Sequence, residues 1–115
     1  MTDDLAKRHC KPCEGGTEVL RADQVQSLLP ALHADWTLSA DGLEISRLCK
    51  FPAYSRTLGF ANAVAWIAIT EGHHPRLVVN YGSCNVSWTT HAINGLSDND
   101  FICAAKVDRL LSDSE

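Results

Sequence analysis

No stretch of this chain is apolar for long enough to cross a bilayer. The apolar run near Ala61 to Ile69 falls well short of the roughly 20 residues a spanning helix needs. Basic residues are in the minority. Lys and Arg total 10 against 14 Asp and Glu, a formal charge of −4, and they are scattered. The basic stripe expected of a nucleic-acid binder is missing. Met1-Thr2-Asp3-Asp4 leads into no apolar stretch, so a secretory leader is not expected. The five cysteines are an odd number, which argues against a disulfide framework. Cys49, Cys84 and Cys103 lie in apolar or strand-like surroundings and read as small hydrophobes. There is no internal repeat and no low-complexity tract. The expectation is a reduced, cytoplasmic protein with neither a membrane nor a nucleic acid as partner.

What remains is an ordinary globular composition, 45% hydrophobic and 21% charged over 115 residues. That length suits one domain, which buries roughly two-thirds of its unfolded surface and needs no staples. Residues 1–20 carry Cys10-Lys11-Pro12-Cys13 and Gly15-Gly16 without periodicity and read as a flexible arm. Residues 21–115 read as the folded domain. Cys10-x-x-Cys13 offers too few ligands for a closed zinc site.

Within the domain, Val25, Leu28, Leu29 and Leu32 recur at helical spacing, predicting a helix from about Ala22 to Leu32, with Pro30 as its defect. Trp36-Thr37-Leu38 and Leu43-Glu44-Ile45 alternate around Asp41-Gly42 and predict a hairpin. Pro52 is expected in the first turn of a second helix. Its stripe is Tyr54, Leu58, Ala61, Ala65 and Ala68, and Gly72 and Pro75 end it. Leu77 to Tyr81 and Asn85 to Thr90 predict a second hairpin turning at Gly82-Ser83. Ser97-Asp98-Asn99-Asp100 opens the last helix with a capping-box pattern. The fold class expected is α+β: a four-stranded antiparallel sheet with three helices packed on one face, in the order α-β-β-α-β-β-α.

The histidines give this frame a chemistry. If Gly82-Ser83 is the turn, Tyr81 faces Cys84, and counting back along both strands sets His91 opposite His74. Opposed residues have Cβ atoms about 4.5–5.5 Å apart. His73, His74 and His91 should therefore meet at one loop-rich rim. Imidazoles move protons near neutral pH, and a pair facing one cavity can act as donor and acceptor. Two other readings stand beside this. A His beside a Pro can simply end a helix. Three His ligands can also hold a catalytic zinc, although adjacent His73 and His74 side chains tend to diverge and no acidic partner is placed by the sequence.

Glu71-Gly72-His73-His74-Pro75, Tyr81, Thr90-His91, Gly95-Leu96-Ser97 and Asp100-Phe101 together resemble the pterin-4a-carbinolamine dehydratases. The resemblance runs from about Val19 to Leu110 and includes Leu28-Leu29-Pro30, Trp36 and Phe60-Ala61. It implies dehydration of 4a-hydroxytetrahydropterin to quinonoid dihydropterin in tetrahydrobiopterin recycling, with no cofactor and no metal. It implies His73, His74 and His91 as catalytic residues, with His73 and His91 the proton-transfer pair and His74 orienting the pterin. Pro75, Tyr81, Thr90 and Asp100 would bind substrate, although Asp100 is equally placed to complete the helix cap. A homodimer or homotetramer is implied. The family also holds non-catalytic members, a transcription-factor dimerisation cofactor and assembly factors for the carbon-fixing enzyme, so a scaffold role is the alternative. The chain departs from the pattern at Ile69, where many members are acidic, and at Arg76, often acidic in bacterial relatives.

Overall fold

The computed structural model describes residues 2–11 and 18–113. Cys13 and the Gly15-Gly16 pair lie outside the described residues. The elements run α1 (Thr2–Ala6), α2 (Ala22–Leu28), β1 (Thr37–Leu38), β2 (Ile45–Lys50), α3 (Tyr54–Glu71), β3 (Arg76–Val79), β4 (Ser83–Trp88) and α4 (Asp98–Asp113), with short 3-10 turns at Leu29–Ala31 and His91–Ile93. The strands form one antiparallel sheet in the order β1-β2-β4-β3. This is the expected α+β architecture with one more helix.

That helix is α1. Lacking periodicity, residues 2–11 read as loose, yet Leu5 and Ala6 are buried. The segment beyond them is tied down by polar contacts. Glu71 accepts from Cys10 N–H at 2.8 Å, and Asn99 Oδ1 accepts from Lys11 N–H at 3.1 Å while its Nδ2 donates to Lys11 O at 2.7 Å. Five residues are too few for helical periodicity to declare itself.

Pro30 shapes α2 as expected: the α-helix stops at Leu28 and the chain tightens into the 3-10 turn. Pro52 lies just outside α3 rather than in its first turn, because Ala53 takes the extended N-cap conformation. The buried face of α3 is Thr57, Phe60, Ala61 and Val64. The predicted stripe is therefore rotated: Ala61 faces the core, whereas Tyr54 and Leu58 are exposed. Gly72, at φ 66°, closes the helix in the left-handed conformation, and His73 N–H donates back to Ala68 O at 3.1 Å. This is the glycine-dependent helix stop.

Strand alternation sorts the two sheet faces. Ile45 and Cys49 of β2 and Cys84, Val86 and Trp88 of β4 are buried under α3 and α4 with Val64, Leu96, Phe101 and Ile102. Ser46 and Ser87 pair on the other face, Oγ to Oγ at 2.8 Å. Asp108 of α4 anchors the sheet edge, accepting from Trp36 Nε1 at 2.7 Å, Arg47 Nη1 at 2.6 Å and His33 N–H at 2.9 Å.

The second hairpin turns at Tyr81-Gly82 rather than Gly82-Ser83. Val79 faces Cys84, and Asn80 N–H donates to Ser83 O at 2.8 Å. The register thus differs by two residues from the expected one. A two-residue slip keeps every side chain on its own face, which preserves the inward and outward assignments that matter at the histidine end.

Candidate functional site

His73 and His74 follow the helix stop and lead into β3 in extended conformation, so their side chains leave the backbone in opposite directions. His73 turns inward and is 6% exposed. Its Nε2–H donates to Asp100 Oδ1 at 2.5 Å, and its ring stacks on Trp88 with centroids 5.6 Å apart and planes 11° from parallel. His74 turns outward, is exposed, and stacks on the exposed His91 at 5.3 Å and 13°.

Asp100 sits in the first turn of α4 and is 0% exposed. Oδ1 takes the His73 proton donor. Oδ2 accepts from Thr90 Oγ1 at 2.7 Å and from Ser97 N–H at 2.9 Å. Ser97 Oγ in turn lies 2.8 Å from Thr90 Oγ1, and since the Thr90 hydroxyl donates to the carboxylate, the serine is the donor of that bond. Asp100 therefore caps the helix and holds a histidine with the same carboxylate. A buried charge of this kind persists only when its lone pairs are taken. Here both oxygens are used, and the bond to Nε2 fixes the tautomer and orientation of His73.

His91 is not on a strand. The register alone would not carry it to His74. Thr90 and Gly95 bridge, with Thr90 N–H donating to Gly95 O at 2.9 Å, and Asn94 takes a left-handed φ of 51°. This closes a short loop with His91 on its first position, and the loop lays the imidazole on His74. Beside His91 lies a shallow cleft of about 220 Å³ lined by Ser39, Asp41, Leu43, Glu44, Thr89 and Asn94. In it the Ser39 hydroxyl and Leu43 N–H hold the Asp41 carboxyl below the usual aspartate range.

Of the residues singled out in the sequence, His73, Thr90 and Asp100 come together as a buried network, and His74 and His91 as an exposed pair. Pro75 is half-buried directly after them. Tyr81 does not join. It occupies the turn at the far end of the hairpin, about 20 Å away along β4 at ~3.3 Å per residue, 73% exposed and stacked on Tyr54 at 6.0 Å. Thr90, 1% exposed, supports Asp100 from within rather than offering its hydroxyl to a ligand.

Trp88 was missed, although alternation from Thr90 aims it to the same inner side as His73. Glu71 does not stand in for the acid absent at Ile69. Its carboxylate is spent on the N-terminal segment, accepting from Cys10 N–H with His9 at 3.0 Å and Lys106 at 3.8 Å, and Ile69 is 72% exposed. Arg76 pairs with Glu44 at 2.9 Å on the outer face. Among the described residues no group of three or more His, Cys, Asp or Glu is placed to hold a metal ion, and no helix is long and apolar enough to cross a membrane.

Comparison with known proteins agrees on one family. Residues 18–110 match the family model described as pterin 4 alpha carbinolamine dehydratase. A protein of Legionella pneumophila (strain Lens), provisionally named a pterin-4-alpha-carbinolamine dehydratase, is 49% identical over 98% of this chain and 100% of its own. One of Nitrosomonas eutropha (strain DSM 101675 / C91 / Nm57) with the same provisional name is 54% identical over 94% of each chain. Among solved structures, a transcriptional coactivator/pterin dehydratase from Brucella melitensis superposes with a TM-score of 0.76 at 28% identity, covering 81% of this chain and 98% of its own. A pterin dehydratase-like protein identified as a RuBisCO assembly factor in the alpha-carboxysome shares the fold, with a TM-score of 0.59 at 23% identity over 68% of this chain and 90% of its own.

Proposed function

This chain belongs to the pterin 4 alpha carbinolamine dehydratase family, and from that premise we propose that it dehydrates 4a-hydroxytetrahydropterin to quinonoid dihydropterin by histidine acid–base catalysis. The carrying observation is the pairing of a buried, carboxylate-held imidazole, His73 on Asp100 at 2.5 Å, with an exposed imidazole pair one residue away, His74 on His91 at 5.3 Å.

The reaction needs two proton transfers. The 4a-hydroxyl leaves as water only if it receives a proton, and the N5 hydrogen must pass to a base. His73 and His91 are assigned to these transfers, and His74 to orienting the pterin ring by stacking, as it already stacks on His91. Asp100, Thr90 and Trp88 are positioning residues for His73. The cleft beside His91 is the space for the ligand, with Glu44, Asp41 and Asn94 on its rim. Each positioned transfer is worth about 10²–10⁴ in rate. In this reading the chain serves tetrahydrobiopterin recycling in the cytoplasm as a homo-oligomer, with the reduced pterin as its small-molecule partner.

A scaffold role is the second reading. It is favoured by one feature, the exposed apolar row Tyr54, Leu58, Trp66 and Ile69 along α3, of which Ile69 is 72% and Trp66 68% exposed. Such a row marks an interaction face. Stopped-flow decay of 4a-hydroxytetrahydropterin separates the two. Purified protein is expected to accelerate the decay and to keep doing so after chelator treatment. Decay no faster than in buffer would transfer the function to the scaffold.

A further inference from the structure

The proposed reaction uses none of the cysteines, and the four described ones fall into two unlike pairs. Cys49 and Cys84 face each other across β2 and β4 beneath the helices, 5% and 0% exposed. Burial pushes the Cys49 thiol up to about 11 and raises Cys84 as well. Cys10 and Cys103 are different. Their Sγ atoms lie 3.5 Å apart, one on the half-buried N-terminal segment and the other on α4, 0% exposed. A disulfide requires about 2.05 Å, so the sulfurs must close by roughly 1.5 Å. The segment that carries Cys10 is held in place: Cys10 N–H is bound by Glu71, and Lys11 exchanges two hydrogen bonds with Asn99. Cys10 Sγ also sits 3.7 Å from Asn99 O, over the first turn of α4.

We propose that Cys10 and Cys103 form a redox-active dithiol, closed to a disulfide by a low-molecular-weight disulfide of the glutathione type. Cys10 is half-buried and Cys103 fully buried, so Cys10 is taken as the sulfur that meets the small disulfide first. Its thiolate attacks one sulfur of the small disulfide, forming a mixed disulfide and releasing one small thiol. Cys103 then gives up its proton and attacks the Cys10 sulfur. The protein disulfide forms and the second small thiol leaves. The two protein thiols are oxidised, and the small disulfide is reduced to two thiols.

The environment of Cys103 fits the order of steps. Its thiol is pushed up first by its hydrogen-bond contact with the Cys10 sulfur and then by burial. Once Cys10 is in the mixed disulfide, the Cys103 sulfur stands beside the bond it must attack. Because Cys103 follows Asp100 by three residues on the same face of α4, the bridge would fasten the N-terminal segment to the helix turn that holds His73. The dithiol stands independently of the pterin reading.

The test uses the full-length protein, reduced and then equilibrated with oxidised glutathione, with intact mass read under non-reducing conditions. Loss of two hydrogen masses is expected in the unmodified sequence and in Cys13→Ser, and not in Cys10→Ser or Cys103→Ala. Protease cleavage within residues 2–11 should slow at least about 10-fold on oxidation, since cleavage follows the population of the opened segment. No mass loss, a persistent glutathione adduct without ring closure, or a loss that vanishes in Cys13→Ser would each overturn the assignment.

Discussion

His73 and His74 are consecutive residues of the same type, and they live in different worlds. His73 is walled in by Trp88 and bonded to a carboxylate that no solvent reaches. His74 lies on the opposite side of the strand and is stacked on His91, and among the described residues neither of those two rings is hydrogen-bonded. The separation follows from the extended backbone after Gly72, which sends neighbouring side chains to opposite faces. One histidine is thereby held in a fixed orientation, and the other two stand exposed. Two chain-adjacent steps, His73 to His74 and Thr90 to His91, join the buried network to the exposed pair.

Removing the buried side of this contrast should cost the most. Asp100→Ala leaves the His73, Thr90 and Ser97 donors without their acceptor, and breaking a buried pair of this kind costs about 3–5 kcal/mol. Denaturant unfolding should report it as a lower midpoint with an unchanged slope. A loss under about 1 kcal/mol would mean the network is not what holds His73.

A smaller effect sharpens the contrast at the last residue of α3, two positions before His73. Burial pushes the Glu71 carboxyl up, but the Cys10 N–H, His9 and Lys106 outweigh it and hold it below the usual glutamate range. A carboxylate depressed in the folded protein stabilises fully above its unfolded pKa of about 4.3, and that contribution is lost as pH falls through the lower folded value. Acidification should therefore release residues 2–11 before the domain unfolds, read as amide exchange in that segment. Glu71→Gln should abolish the pH dependence and weaken the attachment by about 1.5–3 kcal/mol, as for a lost hydrogen bond to a charged group. The smallest effect is expected at Tyr81, at the far end of the hairpin. Tyr81→Ala should leave turnover within about twofold and stability within about 0.5 kcal/mol, as for an exposed site. A large loss of turnover would bring that end into the site, through a second copy of the chain.

Much of this was legible beforehand. The order of strands and helices follows from periodicity, and Gly72 had to end α3 because the chain turns left-handed there. The meeting of His74 with His91 was also legible, though by a different route, whereas His73 turns inward onto Trp88 and Asp100 instead of joining them. The predicted turn at Gly82-Ser83 is displaced to Tyr81-Gly82, and the loop from Thr90 to Gly95, not the strand ladder, delivers His91. Asp100 could be read as a cap or as a site residue, and it is both, since a carboxylate has two oxygens. The docking of residues 2–11 was not legible, because it depends on Glu71, Asn99 and Lys106, distant in sequence, supplying partners to an aperiodic segment. The roles of Trp88 and Thr90 were hidden for a related reason: burial is decided by α4 packing over the end of β4.

The most direct measurement is the 4a-hydroxytetrahydropterin decay rate of His91→Ala, with its unfolding midpoint taken on the same sample. His91 is exposed and spends its ring only on His74, so the midpoint should stay within the error of the unmodified protein while the catalysed rate falls by about 10² or more. An unchanged rate in a folded His91→Ala protein would contradict the account, because the exposed histidines would then take no part in the chemistry.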